Sequence, residues 1–305
     1  MLVSVFSLII TAIAAPATEL IPNQYIVVFK DHVKDTQKTL EKYVSELETS
    51  VFPRTSVVQK YDLPTFKGAT VKMPESFTGT TEMLFNDDIA FVEQDQVVTT
   101  LGVQEGAPWG LNRISSRDRP GSGAVYTYPD SAGAGTYSYV IDTGVLTTHT
   151  AFEGRAGFGA DFTGEGAGDG NGHGTHCAGT VGSSLYGVAK KTNIVGVRVL
   201  GSRGSGTNSG VIAGIEWVAK DGAAKNREAG KIVSVANLSL GGGASQAVDN
   251  AVKAATDAGV VVAVAAGNSR GDACRLSPAR APSAITVAAS DINDNLASFS
   301  EGKMC

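Results

Sequence analysis

Three polar side chains stand where apolar runs stop. Asp142 closes Val140-Ile141 and is followed by Thr143-Gly144. His173 lies within Asn171-Gly172-His173-Gly174-Thr175-His176-Cys177-Ala178-Gly179-Thr180, and Asn268 ends Ala263-Val264-Ala265-Ala266-Gly267-Asn268. A fourth segment, Val233 to Gly242, ends in the bare backbone of Ser239-Leu240-Gly241-Gly242. A carboxylate at a strand's end is well placed to hydrogen-bond a histidine, and Asn268 offers a neutral amide donor. Other chemistries fit these residues less well. Asp142-Thr143-Gly144 matches the aspartic-protease signature, but that reaction needs two carboxylates sharing one proton and no second such motif occurs. His173 and His176 could seed a metal site, but catalytic zinc needs three protein ligands and no third stands at convincing spacing. His176 therefore reads as structural. Cys177, four residues after His173 on the same helix face, could be a histidine-activated thiol. The Gly-rich stretch from Gly164 to Gly174 lacks the preceding strand and the lysine of a phosphate loop, so it reads as a surface loop. Asn237-Leu238-Ser239 fits a glycosylation sequon, yet it lies at the end of an expected buried strand and should be unmodified.

The elements around these residues are legible as alternating runs. Tyr137 to Ile141, Ile194 to Leu200, Ile232 to Leu238, Val260 to Ala265 and Ala284 to Ala288 are near-continuously apolar, as strands buried on both faces are. Val211, Ile215, Val218 and Ala219 share one face of a helix starting near Asn208 or Ser209. Ala247, Val248, Ala251, Val252 and Ala255 share a face of another, with Ser245 as its N-cap. The small residues after His173 suit a helix packed closely on a sheet, with His173 at its start. The expected fold class is α/β, an open parallel sheet with helices on both faces. Ligands in such sheets bind beyond the carboxyl ends of the strands, which is where the polar residues fall.

The first hundred residues have another style. A strand at Tyr25 to Phe29, a helix with Leu40, Tyr43, Val44 and Leu47 on one face, strands at Val57-Val58 and Gly68 to Val71 around a Leu63-Pro64 turn, a weaker helix opening at Pro74-Glu75-Ser76, and a strand at Ile89 to Val92 give the order βαββαβ. That order predicts a small α+β ferredoxin-like domain. Between Gln94 and Pro108 the periodicity fades, which predicts a joint and a processing region. Met1 to Ala15 reads as a signal peptide, with Ala12-Ile13-Ala14 offering a cleavage site, so the chain is expected to be secreted and extracellular. A net charge of −5 makes nucleic acid and anionic membranes poor partners. Of the three cysteines, Cys177, Cys274 and Cys305, at least one must be unpaired within the chain.

The four segments, in this order, resemble the subtilisin-like serine proteases, most closely the fungal proteinase K-like branch. Ala107-Pro108-Trp109-Gly110-Leu111 and Arg113-Ile114-Ser115 look like that branch's mature N-terminus, and the first domain resembles its inhibitory propeptide. The resemblance implies a signal peptide over 1–15, an inhibitory propeptide over 16–101 and a peptidase domain over 102–305. It also implies roles. His173 would be the general base, with Asp142 fixing its tautomer. Asn268 would stabilise the oxyanion. Gly204-Ser205-Gly206 and Ser239-Leu240-Gly241 would pair with an extended substrate strand. Ala265, Ala266 and Gly267 would wall a pocket with room for a bulky apolar side chain, and Cys177 would be a buried, inert thiol. The implied activity is that of a monomeric endopeptidase zymogen acting on proteins or peptides, with its own propeptide as intramolecular inhibitor. The chemistry requires no cofactor. Structural calcium is implied for the full-length protein through backbone oxygens at Pro282 and Ala284, with a carboxylate partner beyond residue 305.

One expected part is missing. The family's nucleophile lies in a Gly-Thr-Ser-Met-Ala-like segment, and none occurs. Ser290, Ser298 and Ser300 match the strand and loop that precede it. The pattern runs to Ser298-Phe299-Ser300 and breaks at Glu301-Gly302-Lys303-Met304-Cys305. The chain as written is therefore expected to be inactive. The alternative is a non-catalytic protein whose first domain binds and inhibits full-length relatives.

Overall fold

A computed structural model describes residues 20–50, 55–74, 86–96, 101–119 and 124–303. The signal-peptide segment, Cys305 and the helix expected to open at Pro74-Glu75-Ser76 lie outside the described residues, Pro74 excepted. The chain forms two compact units, divided between Thr99 and Thr100.

In the first unit, β1 (Leu20–Phe29), α1 (Thr36–Ser50), β2 (Ser56–Leu63), β3 (Phe66–Lys72) and β4 (Ile89–Gln96) build an antiparallel sheet of order β2-β3-β1-β4. Leu40, Tyr43 and Leu47 of α1 pack on Tyr25, Val27, Phe29, Ala69 and Val71, the residues that alternate onto one face of β1 and β3. Gly68 lets β3 approach β1, since a Cβ there would lie 2.3 Å from the Val27 carbonyl oxygen.

The second unit opens with β5 (Leu101–Glu105), α2 (Trp109–Ser115) and β6 (Val125–Pro129), with β5 and β6 paired antiparallel. The segment expected to be a joint, 94–108, thus contains the strand Leu101–Glu105, which the sequence reading did not expect. The strand escaped detection because its outer Val103 is 59% exposed and Gly102 lies beneath the Tyr128 ring, where a Cβ would come within 2.7 Å. Leu101 and Val103 are the strand's two apolar residues, too short a run for an alternation to be read.

The main sheet contains β7 (Tyr137–Asp142), β8 (Ala156–Asp161), β9 (Asn193–Arg198), β10 (Ser234–Leu238), β12 (Val261–Ala265) and β14 (Ile285–Val287). Its order is β14-β12-β10-β7-β9-β8 and every pairing is parallel. Two-residue strands β11 (Gly242–Gly243) and β13 (Leu276–Ser277) form a side ribbon. Helices α4 (Asn208–Ala229) and α5 (Gln246–Asp257) cover one face, where Val211, Ile215, Val218, Val248, Val252 and Ala255 meet Tyr139, Ile141, Val197, Leu238 and Val264. Helix α3 (His173–Gly182) covers the other through Cys177 and Ala178 against Val140 and Ile194. Helices thus lie on both faces, as expected. Ser245 caps α5 by accepting from the Val248 amide, and α4 starts at Asn208, as expected, with the Thr207 hydroxyl accepting from Gly210 N. Asn237 is buried in β10. Edge strand β8, Ala-Gly-Phe-Gly-Ala-Asp, was not predicted. A Cβ at Gly159 would stand 2.9 Å from the Trp217 ring, so the strand is small-sided where it passes under α4.

Candidate active site

Asp142 is the last residue of β7 and His173 the first of α3. Two glycines let strand end and helix start meet. Gly144 has φ of 103°, and a Cβ there would sit 1.9 Å from the Gly168 carbonyl oxygen. A Cβ on Gly174 would sit 2.1 Å from the Gly144 carbonyl oxygen. The approach leaves His173 Nδ1 at 2.7 Å from Asp142 Oδ1, which also accepts from Thr143 N at 2.7 Å. Asp142 is fully buried, and its Oδ2 has no partner among the described residues. With Nδ1 engaged, Nε2 is the nitrogen left for a reacting proton. The hydrogen bond to Asp142, and then the Cys177 sulfur 3.9 Å from Nδ1, push the His173 pKa above the ordinary imidazole value against the opposing effect of burial. Asp142 thus favours the imidazolium, the form His173 takes on accepting a proton.

Asp169, in the stretch read as a plain surface loop, organises this pair and was missed. Its Oδ1 accepts from Thr143 Oγ1 (2.8 Å), Asn171 N (3.0 Å) and Gly172 N (2.8 Å). Its Oδ2 accepts from Thr175 N (2.9 Å) and Thr175 Oγ1 (2.6 Å). Burial alone would raise its pKa, but the bonds from Thr175, Gly172 and Thr143 outweigh it and hold the carboxyl below its usual value. Thr143 completes the link by accepting from Gly174 N at 2.9 Å. The available signal was an aspartate just ahead of a helix start, the place where a carboxylate satisfies first-turn amides.

His173, Gly204, Ser205, Gly206, Ser239, Leu240 and Gly241 line one cleft of about 440 Å³, together with Leu200, Val211 and Val248. The expected substrate-pairing segments therefore flank the histidine. Ala265 ends β12 and Ala266, Gly267 and Asn268 follow it on the same carboxyl edge of the sheet, but none of the four lines this cleft, and Asn268 is exposed. Gly267 has φ of 116° and lies against Leu276 and Glu301. Glu301, part of the divergent ending, is another residue that sequence reasoning missed. The residue is 1% exposed, and it grips both neighbours of Asn268, its carboxylate accepting from Ser269 N (3.0 Å) and its backbone N–H donating to Gly267 O (3.2 Å).

No serine hydroxyl is hydrogen-bonded to His173 among the described residues. Ser300 is buried, and its Oγ accepts from Ala289 N at 3.0 Å. Cys177 is a buried free thiol and Cys274 is disulfide-bonded. Among the described residues, Asp142, His173 and Cys177 form the one cluster of three possible metal ligands. The 2.7 Å contact within it is a hydrogen bond, closer than two atoms that each stand about 2 Å from a tetrahedral zinc. Pro282 and Ala284 sit in the turn before β14, where Ala284 N bonds back to Ala281 O. Two neutral carbonyls by themselves fit calcium poorly, because a hard cation takes six or more oxygens, and among the described residues no cluster of three possible ligand side chains includes a neighbour of Pro282 or Ala284.

A parallel sheet carrying a buried aspartate–histidine pair and a peptide-wide cleft at its carboxyl edge has the design of a subtilisin-type hydrolase. The chain belongs to the Subtilase family, whose model (Peptidase S8) matches residues 133–305. It is 56% identical over 211 residues to Proteinase T of Parengyodontium album, covering 69% of this chain and 70% of that one. It is 42% identical over 309 residues to the subtilisin-like serine protease Pen ch 18 of Penicillium rubens, covering 93% of this chain and 63% of that one. A crystal structure of a cold-adapted subtilisin-like serine proteinase matches with a TM-score of 0.57 at 50% identity, over 64% of this chain and 68% of the other. The chain thus spans roughly two thirds of the length of these relatives. Among the described residues, no helix is long and apolar enough to cross a membrane.

Proposed function

We propose that this chain represents a secreted serine endopeptidase zymogen that hydrolyses proteins by an Asp/His/Ser triad and lacks the serine as written. The observation that carries the reading is the 2.7 Å bond from His173 Nδ1 to buried Asp142 at the rim of a cleft flanked by bare backbone. In this mechanism a serine hydroxyl gives its proton to His173 Nε2 as it attacks the scissile carbonyl. Asp142 keeps Nδ1 protonated and stabilises the resulting imidazolium. Asn268 donates to the oxyanion, a contact whose loss costs about 3–4 kcal/mol in this class, where it is the standard worked case. Gly204–Gly206 and Ser239–Gly241 pair with the substrate backbone, and Ala265-Ala266-Gly267 leaves space for a bulky apolar side chain. No cofactor takes part, and calcium at Pro282 and Ala284 would need a carboxylate from outside this sequence. Residues 1–15 act as the signal peptide and 16–101 as the propeptide that inhibits its own peptidase domain. The active form is a monomer.

An apolar cleft of about 600 Å³ runs beside α3, lined by Trp109, Leu111, Phe152, His176, Tyr186 and Val188. The expected outcome is no labelling of the purified chain by a fluorophosphonate probe, and no turnover of denatured casein. Stoichiometric labelling would overturn the claim of a missing nucleophile. The second reading, inhibition of intact relatives, is favoured by the first unit's own core of Tyr25, Val27, Phe29, Leu40, Tyr43 and Val71. It predicts dose-dependent inhibition of an intact relative, and no inhibition at saturating chain would remove it.

A further inference from the structure

We propose that Glu165, fixed by the buried Arg198, is a positioning residue that holds the substrate-binding edge Gly204–Gly206 in register for an extended peptide. The proposal rests on the peptide-cleft reading above. Glycine-rich backbone loses the most freedom when ordered, so an edge made of Gly204, Ser205 and Gly206 needs an external hold if substrate is not to supply that ordering itself. The structure contains such a hold. Arg198, the last residue of β9, is 4% exposed, yet its guanidinium is turned out of the sheet and into two loops. Its Nη1 donates to Gly166 O (3.2 Å), its Nε to Leu200 O (3.4 Å), and its Nη2 to Ser202 Oγ (3.2 Å) and to the Glu165 carboxylate.

Glu165 closes the triangle. Its Oε2 accepts from Ser202 N (3.0 Å) and from the Ser202 hydroxyl. Gly201 makes room, since a Cβ there would lie 2.6 Å from Glu165 Oε1. Asn171, two residues before His173, donates from Nδ2 to Ser202 O at 3.0 Å. From the fixed Ser202 the turn closes through Gly201 N to Ser205 O (2.9 Å) and Gly204 N to Gly201 O (2.8 Å), which delivers Gly204–Gly206 to the cleft beside His173. The hydrogen bonds from the Ser202 hydroxyl and amide, with Arg198 and Arg203 nearby, hold the Glu165 carboxyl below its usual pKa, so it is ionised at neutral pH. Glu165 itself does not line the cleft and acts through Ser202.

The test uses the full chain, as wild type, Glu165→Gln and Glu165→Ala. Binding of a fluorescein-labelled apolar octapeptide is read by anisotropy, and backbone amide exchange is read over 201–206 and over β7, β9 and α3. Removing the charge-assisted bonds should speed exchange at 201–206 and weaken peptide binding roughly tenfold for Glu165→Ala, with Glu165→Gln between it and wild type. Exchange in β7, β9 and α3 should not change. A Glu165→Ala variant that binds like wild type overturns the positioning role whatever its loop exchange does, and so does unchanged exchange at 201–206. Failure of the wild type to bind peptide removes the cleft reading, and this proposal with it. Binding by wild type and both variants alike removes only the role of Glu165.

Discussion

The carboxyl edge of the main sheet has two ends that are built differently, the His173 end, called the base end after the role proposed above, and the Asn268 end, called the acceptor end because the proposed oxyanion would lie there. At the base end, Asp169 is a partly buried carboxylate with five hydrogen bonds, all from residues between Thr143 and Thr175. At the acceptor end, Glu301 is a fully buried carboxylate whose Oε1 accepts from Ser269 N, 32 residues earlier, while its Oε2 has no partner among the described residues. The first carboxylate has both oxygens satisfied, four of its five bonds coming from residues two to six positions away. The second is held by one hydrogen bond and by packing, and retains an oxygen without a partner among the described residues in a low-dielectric site, which is costly. Preorganisation should therefore be strong around His173 and weak around Asn268.

The sharpest contrast lies in the glycines. Gly174→Ala places a methyl 2.1 Å from the Gly144 backbone oxygen, and neither the strand end nor α3 can yield without losing the contact between Asp142 and His173. The expected loss is about 3 kcal/mol of stability, read from denaturant midpoints. Gly267→Ala also meets an unfavourable φ, but its new neighbours are Leu276 Cδ1 and the Glu301 side chain, which can move. About 1–2 kcal/mol is expected there. Equal losses at both positions would erase the contrast.

Asp169→Ala should come next, at about 2 kcal/mol, because it strands donors of Thr143, Gly172 and Thr175. The pKa of Asp169 is lowered in the folded chain, so its contribution is present above the unfolded value near 3.8 and is lost as pH falls through the lower folded value. Asp169→Ala should consequently flatten the acid limb of stability against pH. A parallel acid limb would mean that Asp169 does not stabilise the base end.

How much of this asymmetry was legible follows from the range of the forces involved. Strands β7, β9, β10 and β12 announced themselves as apolar runs, and Asp142, His173 and the Ser245 cap followed from their places at the ends of those elements. Strands β5 and β8 were hidden because Gly102 and Gly159 exist to fit under Tyr128 and Trp217, partners that no local pattern names. Asp169 had a local signal, an acceptor just before a helix start. Glu301 had none. Its role depends on Ser269 and Gly267 being folded over it, and only the three-dimensional arrangement reveals that.

Glu301→Gln tests the weak end with the opposite sign. The amide still accepts from Ser269 N and no longer buries a charge that lacks a cationic partner among the described residues. Stability should rise by about 1 kcal/mol, seen as a higher thermal midpoint. A loss of stability would mean that the carboxylate is compensated and that the acceptor end is as well built as the base end.

The smallest effect is a titration. The hydrogen bond to Asp142 raises the His173 pKa above its ordinary value of 6.5, with a further contribution from Cys177. A raised pKa adds stability that is fully present below 6.5 and disappears as pH rises through the folded value. Because His173 is half exposed, solvent screening keeps the energetic part small, and the ring proton shifts are the better readout. In wild type, the His173 resonances should titrate well above the ordinary imidazole value of 6.5. Asp142→Asn should bring them down, since a neutral amide cannot stabilise the imidazolium. Cys177→Ala should lower them by less, because the sulfur is the more distant partner at 3.9 Å. If the two substitutions lowered the pKa equally, Asp142 would not be the dominant partner, and the base end would owe its bias to the thiol beneath it.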